Sequence, residues 1–150
     1  MTGSPPPREA FACYRRAYVA YLDDHDLPRA RQELARAAEL EPLQAVYRAV
    51  AGLVALEEGR FSEAEEWLAS AIALGHPDEE RAASFLLWRG RARDVQGRRH
   101  DALADYDAAL AMTLDPPARR AAERGRRRPF AARRAARVHV DMALGDVIRP

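Results

Sequence analysis

Residues 45–77 read AVYRAVAGLVALEEGRFSEAEEWLASAIALGHP. Two apolar, alanine-rich stretches, 45–58 and 61–74, flank a single turn signal, Gly59-Arg60. Each stretch is long enough for three to four helical turns, and neither contains an internal proline. The second places small residues, Ala64 and Ala71, seven apart with Leu68 between them, on one helical face. The first places Ala51, Gly52 and Ala55 opposite. Small side chains facing each other across a tight turn let two helix backbones come close, so the stretch predicts an antiparallel helix pair ended by Pro77.

The pattern recurs outward in both directions. Ala30-Leu34-Ala37 lies 34 residues before Ala64-Leu68-Ala71, and Ala102-Tyr106-Ala109 lies 38 residues after it. Turns precede each triad at His25-Asp26, Gly59-Arg60 and Gly97-Arg98, and prolines follow at Pro42, Pro77 and Pro116. A single pair of this kind cannot bury its apolar face alone, so copies must stack. Frames 11–44, 45–78 and 83–116 follow, and helices are predicted near 8–24, 27–40, 44–58, 61–74, 79–96 and 99–114. Asp26 is the expected N-cap of the second helix.

These frames resemble the tetratricopeptide repeat, whose signature runs W-x2-L-G-x2-Y, then A-x3-F, then P. The second frame matches best, through Ala51-Gly52, Gly59-Arg60-Phe61, Ala64, Leu68 and Ala71. The first offers Tyr14, Tyr21 and Leu40-Glu41-Pro42; the third offers Gly90, Gly97, Ala102, Tyr106 and Ala109. Departures are Tyr18 in a small-residue position, Arg89 and Arg93 in apolar positions, and four extra residues at 79–82. The resemblance implies an all-α, right-handed α-solenoid of three helix-turn-helix repeats with one or two C-terminal capping helices. Residues 1–10 are then a flexible, proline-rich N-terminus running into the first helix, and 117–150 a basic cap or tail.

Hydrophobic residues make up 48 % of the 150, enough for a packed core rather than wholesale disorder. All 24 basic residues are arginine. The net charge of +1 hides a division: residues 1–116 carry a balance of −6 and residues 117–137 one of +8. Within 117–150 a helix from Pro117 to Arg124, stopped by Gly125 and Pro129, is expected, then a second from Phe130 to about Leu144. Arg119, Arg120, Arg124, Arg126, Arg127, Arg128, Arg133, Arg134 and Arg137 form a candidate basic patch. Such a patch is either the solvated face of a cap or a phosphate-binding surface for nucleic acid or another anionic surface.

No catalytic constellation emerges. Cys13 is the only cysteine, so no intramolecular disulfide forms. His25, His76, His100 and His139 stand at no metal-ligand spacing, and neither a phosphate-cradling glycine loop nor a nucleophile elbow is present. A non-enzymatic protein without cofactor or metal is expected. The opening MTGSPPPREAF has no apolar core of a secretory leader and no run of 18 apolar residues occurs, so a cytoplasmic setting is expected.

The resemblance also implies a concave groove lined by the first helix of each repeat. By these frames it would hold Arg15, Arg16, Val19 and Leu22, then Val46, Val50, Leu53 and Leu56, then Ser84, Leu87, Trp88 and Arg91. The family's clamp for acidic chaperone tails would keep only Arg15; Val19, Val50, Ser84 and Trp88 fill the other positions. An apolar strip with arginines at its ends suits an apolar peptide or amphipathic helix, with Trp88 as anchor. The expected function is an adaptor or small chaperone binding another protein. Polyanion binding through 117–137 is the alternative, and self-assembly of the repeats a third reading.

Overall fold

The computed structural model describes residues 6–133. Among them lie seven helices and no strand. They are α1 (Pro6–Leu22), α2 (Leu27–Leu40), α3 (Ala45–Glu57), α4 (Phe61–Leu74), α5 (Glu79–Val95), α6 (Arg99–Leu110) and α7 (Pro116–Arg127). Each helix packs on the next, most extensively within the pairs α1–α2, α3–α4 and α5–α6, and α5 also meets α3 and α7. The result is an all-α solenoid.

The turns have a common physical basis. Gly59 and Gly97 adopt positive φ, 79° and 77°, and His25 takes the equivalent place at 51°. The left-handed residue reverses the chain directly after a helix, a place glycine takes at least cost. Asp26 accepts the backbone N–H of Arg29 at 3.1 Å and caps α2, as expected from its position. Asp78 caps α5 through Glu80 N–H at 2.9 Å, and Asp115 caps α7 through Ala118 N–H at 2.8 Å.

The three triads are the innermost residues of the stack: Ala30, Leu34, Ala37, Ala64, Leu68, Ala71, Ala102, Tyr106 and Ala109 are all fully buried. A Cβ on Gly52 would come within 2.7 Å of Leu68 Cγ, so the α3–α4 crossing requires glycine. In the first pair the backbone resolves the odd position of Tyr18. Asp26 N–H bonds to Ala20 O, six residues back, whereas Arg60 and Arg98 bond to Ala55 and Arg93, five back. The turn after α1 therefore holds one extra residue. That shift brings buried Ala17 rather than Tyr18 to the place of Gly52.

The C-terminal helix departs from expectation. Gly125 does not stop it; α7 runs on to Arg127. Its inward stripe is Ala118, Ala121, Ala122 and Gly125, all buried. A Cβ on Gly125 would meet three atoms of the Tyr106 ring at 2.7–2.8 Å, and one on Gly90 would meet the same ring at 2.7 Å. Tyr106 is thus held between α5 and α7, and Gly125 is there to let α7 approach. The helix ends where Arg128, extended at φ −143° and ψ 140°, precedes Pro129. Phe130 and Ala131 are not helical. The remainder of the helix expected to about Leu144, with Arg134 and Arg137, lies outside the described residues.

Candidate functional site

The one-residue shift in α1 rearranges the first-helix face. Tyr21, 3 % exposed, donates its hydroxyl hydrogen to Glu57 of α3 at 2.7 Å, and the Tyr14 ring lies 5.0 Å from that of Tyr47. These contacts define the side of α1 that meets α3. Val19, 47 % exposed, lies instead with Ala12, Arg15, Arg16, Asp24 and Arg29 around an open depression of about 410 Å3. Arg15 and Val19 are therefore accessible, but not in line with the residues expected beside them.

Those residues are closed off. Val46, Val50, Leu53 and Leu87 are buried, and Trp88 keeps 8 % of its surface, with its ring 6.1 Å from that of Phe85. Arg91 is buried as well. The apolar strip read from the sequence exists as part of the hydrophobic core rather than as an open surface.

A polar centre that the sequence did not reveal occupies the same helix. Asp94, with no side-chain exposure, accepts three kinds of donor: the Tyr106 hydroxyl at 2.6 Å, Arg99 Nη1 at 3.0 Å and the backbone N–H of Phe130 at 2.9 Å. The Phe130 ring lies under the Arg91 guanidinium, 4.7 Å away. Arg99 also donates to the carbonyl oxygen of Arg126 at 3.0 Å. Burial, then the bond to Asp94, pushes the Tyr106 hydroxyl far above its ordinary range. Arg91, Asp94 and Arg99 together hold the extended segment after α7 against α5. The only sequence hint was the pair of charges one helical turn apart on α5.

The unusual Arg89 and Arg93 have a partner. Asp105, buried on α6, accepts both Arg89 Nε at 3.0 Å and Nη2 at 2.7 Å, and Arg93 Nη1 at 2.9 Å. Arg93 then reaches Glu65 at 2.7 Å on α4, where Arg98 also bonds at 2.8 Å. Burial favours the neutral form of Glu65, but the bond from Arg93 and the charge of Arg98 outweigh it and hold the carboxyl below its ordinary value. Charge pairing thus adds to the apolar core, within the third pair through Asp105 and between the second and third pairs through Glu65. Burial raises the pKa of the Cys13 thiol.

Among the described residues no group of His, Cys, Asp or Glu is placed to hold a metal ion, and no helix is long and apolar enough to cross a membrane. Of the basic patch, Arg119, Arg120, Arg124, Arg126, Arg127, Arg128 and Arg133 are exposed.

Neither a protein-family model nor a curated protein matches the sequence. Solved structures do. The N-terminal domain of stress-induced protein-1 from C. elegans superposes with a TM-score of 0.71 at 21 % identity, covering 81 % of this chain and 98 % of that one. The chain folds as a tetratricopeptide-repeat array. The OM64 TPR domain from Arabidopsis is similar too, with a TM-score of 0.68 at 24 % identity, 81 % of this chain and 98 % of that one. At such identities the likeness concerns the backbone of the array. The buried Asp94 centre and the docked Phe130 are properties read from this chain's own side chains.

Proposed function

We propose that the array is a protein-binding scaffold, an adaptor or small chaperone of the cytoplasm, and that the α5 end of its first-helix face takes an extended segment carrying an aromatic or apolar side chain. One observation carries this reading: the face already holds such a segment in cis. Asp94 receives the Phe130 backbone N–H and Arg91 covers its ring. A backbone donor and an aromatic ring are features any extended peptide with an aromatic residue can supply. Trp88, three residues before Arg91, lies one turn along the same helix, next to where a longer ligand would continue. Val46, Val50, Leu53 and Leu87 then support the face from within, rather than touching the ligand. Arg15 and Val19 line a separate edge.

A cis segment competes with any ligand in trans at an effective concentration on the order of millimolar. The test uses the full chain and a labelled peptide of residues 126–132, RRRPFAA. Phe130→Ala should bind the peptide at least about tenfold more tightly than the unaltered chain, because the competing ring is gone. Arg91→Ala in the Phe130→Ala background should remove the gain, and so should a peptide with alanine in place of its phenylalanine. Equal binding by the unaltered chain and Phe130→Ala would sink the reading.

A further inference from the structure

α7 turns its small residues inward and its charges outward. With Ala118, Ala121, Ala122 and Gly125 packed away, the open face consists of Arg119, Arg120, Arg124, Arg126 and Arg127, continued by Arg128. Glu123, half-buried, is the only acid of the helix. The contrast with the rest of the fold lies in pairing. Arg31 meets Glu58, Arg60 meets Glu63, Arg81 meets Asp78, Arg89 meets Asp105, Arg93 meets Glu65 and Arg99 meets Asp94. On α7, Arg126 reaches Asp107 at 2.7 Å in an exposed pair. Arg119, Arg120, Arg127 and Arg128 have no acidic partner among the described residues. Most arginines of the repeats meet a carboxylate, whereas Arg119, Arg120, Arg127 and Arg128 stand together on α7 and directly after it without one.

The chemistry of the face selects among polyanions. No apolar side chain is exposed on α7 between these arginines, so nothing inserts into a lipid surface. Nothing on it forms the apolar core of a protein interface either. No aromatic residue lies on it for stacking unpaired bases. A planar guanidinium pairs with phosphate through two parallel bonds. Twelve helical residues span about 18 Å, the length of roughly five base pairs, along which a duplex presents about one negative charge per 1.7 Å.

We propose that the outer face of α7, through Arg119, Arg120, Arg127 and Arg128, binds the phosphate backbone of double-stranded nucleic acid without reading its sequence. This surface adjoins the α5 face but uses different side chains, the outward arginines rather than Arg91, Asp94 and Phe130, so the two proposals are tested by different substitutions.

The experiment is fluorescence anisotropy of a labelled duplex DNA of about 20 base pairs, titrated with the full chain at several salt concentrations. Four phosphate contacts predict a slope of log affinity on log salt near −3.6, or about a hundredfold loss between roughly 0.05 and 0.2 M salt. Two duplexes of unrelated sequence should bind alike. The quadruple variant Arg119→Gln, Arg120→Gln, Arg127→Gln, Arg128→Gln alters only exposed side chains, so its circular dichroism should be unchanged while duplex binding and its salt slope largely vanish. Parallel titrations use phosphatidylserine vesicles and polyglutamate. No duplex binding at about 0.05 M salt overturns the proposal, as does a slope untouched by the variant. Vesicles or polyglutamate binding as tightly as the duplex overturn it too, assigning the face to a lipid surface or an acidic protein.

Discussion

Replacing Gly125 by alanine gives an effect whose sign decides what this glycine does. In a solvated helix interior or at a frayed end, Gly→Ala stabilises by about 0.5–1 kcal/mol, because the unfolded chain loses freedom and the helix gains a better former. At a closed contact the added methyl costs about 1–3 kcal/mol. Here the Cβ would stand 2.7 Å from Tyr106 Cζ and 2.8 Å from both Cε atoms. The ring has little room to give, because it also lies close against Gly90, where a Cβ would stand 2.7 Å from the same Cε1. Its hydroxyl is also tied to Asp94 at 2.6 Å. The balance is a net loss of about 1–2 kcal/mol, or a fall in Tm of about 2–8 °C for a chain of this size. Thermal unfolding followed by far-UV circular dichroism measures it. Pairing Gly125→Ala with Tyr106→Leu closes a double-mutant cycle, and the smaller side chain should return about 1 kcal/mol as coupling. A Tm that rises, or one that falls with no coupling, refutes the wedge of Tyr106 between α5 and α7.

Two further outcomes follow from burial and charge. Trp88→Ala should lower stability by about 3–5 kcal/mol with no ligand present, since the side chain is 8 % exposed and packs by Phe85; a Tm shift below about 2 °C would show the ring to be free for a partner. Glu65 titrates below its ordinary value in the folded chain, so its contribution is complete above a pH of about 4.5 and is lost as pH falls through the lower folded value, where the unfolded chain takes the proton first. Glu65→Gln should flatten this acid limb of a urea-midpoint profile, and an unchanged limb would remove Glu65 from the cause.

Helix existence was legible because it rests on neighbours three and four residues away. The triads around Leu34, Leu68 and Tyr106 named the innermost positions of all three pairs, and Asp26 named its own cap. The motif's exceptions were harder. Arg89 and Arg93 looked like defects until Asp105, on another helix, was found to bond both. Gly125 read as a stop because a glycine near a proline has that local meaning, and nothing local tells that a tyrosine 19 residues earlier lies against it.

The sequence by itself determined the six repeat helices and the one that follows them, their order and the small-residue faces on which they pair; the further helix expected from Phe130 does not start there. Periodicity, capping and turn residues are properties of single helices and short loops. Tertiary structure alone decided which face remains open. One extra residue in the turn after α1 moved Val19 off the strip it seemed to join. Stacking closed Val46, Val50, Leu53 and Leu87 into the core. Asp94 gained Phe130, 36 residues on, as its donor. Those outcomes depend on how far side chains reach between helices from different repeats, a quantity set by the whole stack and carried by no periodicity within one helix.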